Sequence, residues 1–87
     1  MDAALLQEAL GLADAADSAR QAAAVLRERF APLRVIVVDA MDMRHEKPAA
    51  IGARRALYLG ASDGHCWNVT DDPAQAAGFF VVDKVAP

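Results

Sequence analysis

Residues 2–30 are rich in helix formers, and their apolar positions fall on one stripe: Leu5, Ala9, Leu12, Ala16, Ala19, Ala23, Leu26 and Phe30. Alternating steps of four and three keep these side chains on one helical face. The stripe is interrupted by a capping-box pattern, Ser18-Ala19-Arg20-Gln21, in which the serine hydroxyl can accept an orphan N–H and the glutamine can reach back. This predicts two helices, or one kinked helix, broken around residues 16–18. Pro32 disfavours the α conformation at Ala31 and ends the region.

The pattern then changes period. Residues 33–39 contain an unbroken Val35-Ile36-Val37-Val38 run, which predicts a strand buried on both faces and central in its sheet. Residues 40–52 hold the charged stretch Met41-Asp42-Met43-Arg44-His45-Glu46-Lys47-Pro48, a connection long enough to suggest function or mobility. Strands follow at residues 54–61 and 65–70, and Asp63-Gly64 between them has the composition of a two-residue type I′ turn. Next, Asp72 can cap, Pro73 can open, Gln75 can bond back to and Gly78 can close a short helix. A last strand spans residues 79–85, and Ala86-Pro87 ends the chain without a tail. The expected fold is α+β and a single domain, 1–87. A helical region (1–31) covers one face of a four-stranded, mostly antiparallel sheet (33–87), with a short helix before the last strand.

A two-residue turn would set Ser62 opposite His65, Ala61 opposite Cys66 and Gly60 opposite Trp67. Strand alternation then sends Leu57, Leu59, Ala61 and Cys66 toward the helices, and Tyr58, Gly60, His65, Trp67 and Val69 to the other side. Trp67 should cover Gly60, where the backbone is bare. Tyr58, Trp67 and Val69, with His65 at their edge, form an aromatic surface of the kind that binds partners. The same residues could instead make a second core layer beneath the 40–52 loop or against Phe79 or Phe80.

At 87 residues a domain buries only roughly 60–65% of its unfolded surface, so dimerisation would strengthen it. Much of the 55% hydrophobic fraction is alanine, which contributes little area. A net charge of −3 without a basic, aromatic-interleaved stripe argues against nucleic acid as a partner. The single Cys66 rules out an internal disulfide, and the acidic Met1-Asp2-Ala3-Ala4 start lacks the charge of a signal peptide. No run reaches the length of a membrane span, so the expected location is the cytoplasm, away from membranes.

Chemical candidates are few. His45, Glu46, His65 and Cys66 offer metal donor types, but adjacent strand residues point to opposite faces and no second cysteine or spaced histidine pair completes a site. No cofactor is expected, and no catalytic group can be assigned. Cys66 reads as a small buried hydrophobe. Arg54-Arg55 reads as a solvated edge that discourages strand aggregation.

His65-Cys66-Trp67, Thr70, Asp72-Pro73 and Ala77-Gly78, following Leu57-Tyr58-Leu59 and Asp63-Gly64, together with Asp39-Ala40, Asp42 and Pro48, resemble a small family of uncharacterised bacterial proteins, a domain of unknown function. The likeness covers roughly the carboxy-terminal two-thirds. It implies a bacterial protein and transfers no activity or site residue. The expected function is therefore an accessory or protein-interaction module, homodimeric or bound to another protein. It would use Tyr58, His65, Trp67 and Val69 as a face, with Arg44 and His45 at its rim. The alternative is a small ligand- or metal-binding protein or enzyme whose pocket lies between loop and hairpin, with His45 and His65 as its polar groups.

Overall fold

Two N-caps organise the helical layer. The Asp2 carboxylate accepts the Leu5 N–H at 2.7 Å and starts α1 (Ala3–Ala15). The Ser18 hydroxyl accepts the Gln21 N–H at 3.0 Å and starts α2 (Ala19–Arg29), so the helical region breaks where its capping box lies. This computed structural model describes residues 1–84. The expected reach of the last strand to Val85, and the end of the chain at Ala86-Pro87, lie outside them. Ala9, Ala13, Ala22 and Ala23 are wholly buried, since small side chains let the two helices and the sheet approach closely. Leu26, Phe30, Leu57, Leu59, Phe79 and Val81 fill this helix-side core, and Phe30 meets Phe79 edge-on with ring centres 6.4 Å apart.

The sheet has five strands where four were expected, and it is mixed. β1 (Arg34–Val37) runs parallel to β5 (Gly78–Asp83), β5 pairs antiparallel with β3 (Arg55–Ser62), and β2 (Ala50–Ile51) and β4 (Trp67–Thr70) both pair antiparallel with β3. Because β5 occupies one edge of β3 from Arg55 to Gly60, the two short strands share the other edge. β2 sits opposite Ala56 and Leu57, and β4 opposite Leu59 to Ser62. β1 lies at the edge of the sheet and not at its centre. Nor is the run buried on both faces as expected: Val35 is buried, Ile36 and Val38 are half-buried and Val37 is exposed, because at the edge of the sheet the cover of each face ends.

No helix precedes the last strand. Asp72 accepts the Ala74 N–H at 3.0 Å, and Gln75 and Ala76 donate to the carbonyls of Asp72 and Pro73, three residues back. The Ala77 N–H then goes to the Gly60 carbonyl at 2.8 Å, so the chain joins the sheet before a helical turn can repeat. Gly78 is enclosed there. A Cβ at this position would lie 2.1 Å from the Arg34 carbonyl oxygen.

One polar clasp ties the layers together. The Asp14 carboxylate, near the end of α1, accepts the backbone N–H groups of Ala53 at 2.7 Å and of Arg54 and Arg55 at 2.9 Å each. Arg55 reaches back: its Nη1 donates to the carbonyls of Ala13 at 2.8 Å and Ala16 at 2.6 Å, and its Nε to Asp83 at 2.9 Å. Arg55 is 3% exposed, which corrects the expectation of a solvated basic pair, although Arg54 remains at the surface. A guanidinium has donors enough to satisfy two orphan carbonyls at a helix end and a carboxylate together. The Arg54 N–H foremost, then those of Ala53 and Arg55 and the Arg55 charge, hold the Asp14 carboxyl below its ordinary value against a smaller opposing effect of desolvation.

Three substitutions test these contacts by their effect on stability. Gly78→Ala should lower unfolding free energy in urea by about 3 kcal/mol, because the obstacle is backbone and cannot rotate away. Gly11→Ala, in open space on α1, should raise it by about 0.7 kcal/mol. The folded pKa of Asp14 lies below its ordinary 3.8, so its ionisation stabilises the fold fully above that value and the contribution fades as pH falls below it. Asp14→Ala should cost roughly 2 kcal/mol at pH 7, the worth of one charge-assisted hydrogen bond for a half-exposed acceptor, and flatten the acid limb of the stability profile below pH 4.

Candidate interaction face

The sheet face turned away from the helices is apolar across its width. Ile36 and Val38 come from β1 and its extension, Phe80 and Val82 from β5, Ala56 and Tyr58 from β3, and Trp67 and Val69 from β4. A solvated sheet face would alternate these with polar side chains. Here the loop of residues 40–48 folds over the middle, and Met43, 7% exposed, seats on Tyr58, Phe80 and Val82. Successive backbone bonds from Asp42, Met43 and Glu46 to carbonyls three residues earlier coil this loop into turns, with the Asp39 carboxylate taking the Met41 N–H at 2.8 Å. Cover ends at the margins, where Ile36, Val38, Trp67 and Val69 remain half-buried and Met41 is 64% exposed.

The hairpin places Trp67 differently from expectation, yet on the expected side. Ser62 pairs with Trp67, Gly60 with Val69 and Leu59 with Thr70, so the turn contains residues 63–66 and not two residues. The Asp63 carboxylate captures the N–H groups of both His65 and Cys66 at 2.9 Å, and only Gly64, at φ 97°, is left-handed among the described residues. A type I′ turn would need both central residues there. These bonds, that of Cys66 first, hold the Asp63 carboxyl below its ordinary value. The register moves by two positions, an even number, so each strand keeps its faces. Trp67 still covers Gly60: a Cβ there would stand 3.2 Å from the indole and 3.0 Å from Phe80. Cys66, expected in the core, is exposed on the turn.

Of the residues singled out from sequence, Trp67 and Val69 share the half-covered margin, while Tyr58, 8% exposed, lies beneath the loop. His65 stands exposed at the turn. Arg44 donates to the Met41 carbonyl at 2.7 Å and braces the loop. His45 lines a cleft of about 450 Å³ between loop and hairpin, with Glu46, Lys47, Val69, Thr70 and Asp71. The cleft anticipated there is present, but His65 is not among its lining residues. No group of three or more His, Cys, Asp or Glu side chains is placed to hold a metal ion among the described residues, and no helix among them is long and apolar enough to cross a membrane.

Sequence reasoning missed Arg34. Its guanidinium lies 5.8 Å from the centre of the Trp67 ring, a cation–π distance. The signal was available in the alternation that puts Arg34 on the same face as Ile36. Compared with family models, curated proteins and solved structures, the chain matches none.

The exposed turn has a direct check: Cys66 in the native protein should react with a thiol reagent at the rate of a free cysteine, without denaturant. Protection until unfolding would place it in the core after all.

Proposed function

We propose that this protein is an interaction module that binds a protein partner through the outer face of its sheet. One observation carries the reading. The face is apolar from β1 to β4, as a buried layer would be, while the loop of residues 40–48 seals only its middle. A margin containing Trp67 and Val69, with Arg34 stacked on the indole, supplies the residue types that dominate binding energy at interfaces. Its Trp is pre-positioned over Gly60, so docking there costs little side-chain entropy. His65 is exposed on the turn two residues before Trp67, and His45 is exposed in the cleft that Val69 also lines. Tyr58 contributes from below as the floor on which Trp67 and Met43 rest.

A second reading is favoured by the cleft at His45, Lys47 and Thr70, where a small polar ligand would find a cation, an imidazole and a hydroxyl together.

Native mass spectrometry of protein purified from its own source separates the two. The interaction reading expects a complex that Trp67→Ala weakens at least tenfold, on the order expected for a central aromatic anchor. Trp67→Phe should retain most of the binding, and both variants should keep the wild-type circular dichroism. A monomer carrying a small molecule that His45→Ala releases would favour the ligand reading.

A further inference from the structure

The outer face leads to an open strand edge, and that edge fits a second copy of this chain. Arg34 donates its N–H to Ala77 and Val38 to Val81, so the backbone groups of residues 34, 36 and 38 point toward β5. Those of Val35 and Val37 therefore point outward. The Val35 carbonyl is taken by Arg27 of α2, whose Nε and Nη2 donate to it at 3.1 and 2.7 Å. Its direction confirms which way the odd residues face. The N–H and carbonyl of Val37 have no such guard among the described residues, and Val37 is 42% exposed. A cleft of about 500 Å³ opens beside it, lined by Ala19, Val38, Asp83 and Lys84 among others. Edge strands of this kind are normally blunted along their length; among the described residues this one is blunted at Val35 alone.

We propose that two copies associate by antiparallel pairing of β1 with β1, the two-fold axis passing beside Val37. This goes beyond the interaction reading above, because β1 lies across the sheet from the Trp67 margin. In that register each Val37 donates its N–H to the other's carbonyl, so the two outward groups satisfy each other. Ile36 comes opposite Val38 of the second copy on the outer face, and each covers a residue that is half-buried in the single chain. Val35 comes opposite Asp39 of the second copy. The Arg27 guanidinium, already held at Val35, has no carboxylate partner among the described residues, and neither does Asp39 have a cationic one. In this register the Val35 carbonyl also faces the Asp39 N–H of the second copy, so pairing moves the Arg27 guanidinium from that carbonyl onto the Asp39 carboxylate of the second copy, twice by symmetry. An unrelated extended segment would satisfy the backbone of Val37 but would match this charge placement only by chance. The two sheets become continuous, and the Trp67 margins lie on the same side of the joined sheet.

Sedimentation and hydrogen exchange test the pairing. The full chain should be dimeric at about 100 μM, in the range of a modest interface, and the Val37 amide should exchange more slowly as protein concentration rises. Val37→Pro removes the outward N–H at an edge position where proline is tolerated; it should be monomeric with native circular dichroism. Should that variant fail to fold, charge reversal serves instead. Arg27→Asp and Asp39→Arg should each weaken the dimer about fivefold, and the double variant should restore it. A monomer at about 100 μM, a dimer whose Val37 amide is unprotected, or a double variant no tighter than the singles would overturn the β1 pairing.

Discussion

The fold depends on a reciprocal exchange between the end of α1 and the start of β3. Asp14 gives its carboxylate to three successive backbone N–H groups, and Arg55 returns its guanidinium to the carbonyls of Ala13 and Ala16. Both halves are needed physically. A helix C-terminus leaves carbonyls without partners and carries partial negative charge, which a buried cation answers. The tight bend into β3 leaves N–H groups without partners, which an anion answers. Removing Arg55 would leave the Ala13 carbonyl without its partner in a buried place, which costs more than the bond contributes when intact, whereas the N–H groups that Asp14 holds lie nearer to water. By also holding Asp83, Arg55 links the central strand to the last one, so one residue sets the helix layer, β3 and β5 in mutual position.

That fixed frame explains the difference between the two sheet faces. The helix layer, brought close by alanines, seals the middle of one face and leaves Val37 42% exposed at its β1 margin. The other is left to a loop of coiled turns whose contribution to the core is mainly Met43, a flexible side chain suited to irregular gaps. A loop cannot reach all margins of a five-stranded sheet, and apolar area remains at both sides of it. One side is the Trp67 and Val69 margin, and the other is Ile36 and Val38 beside the β1 edge.

Local signals were legible where one interaction determines the outcome. Ser18 marked the helix break, and alternation along residues 56–60 and 67–69 assigned the faces correctly even though the turn length was misjudged. The turn failed because Asp63 had two uses, as a positive-φ residue or as an acceptor for later N–H groups, and composition does not rank them. The short helix after Thr70 failed for a tertiary reason: Gly60 claimed the Ala77 N–H. β2 contains two residues and has no periodicity to detect. Arg55 was misread because adjacent arginines look alike in sequence, and only the arrival of α1 separates the buried one from the exposed one. The candidate site was legible in Trp67 and Val69, but the cover over Tyr58 depended on a loop without a pattern of its own.

The position of Arg27 also bears on the order of folding. β1 finds its strand partner only in β5, beyond the loop, β2, the hairpin and the turns that follow, so its pairing closes a large loop and must come late. Until then the Val35 to Val38 run is an apolar strand open on both edges, the kind of segment that templates aggregation. Arg27 lies just before it in sequence and belongs to a helix that can form locally. Its hold on the Val35 carbonyl spans eight residues, a local contact whose closure, unlike the pairing with β5, needs none of the later strands.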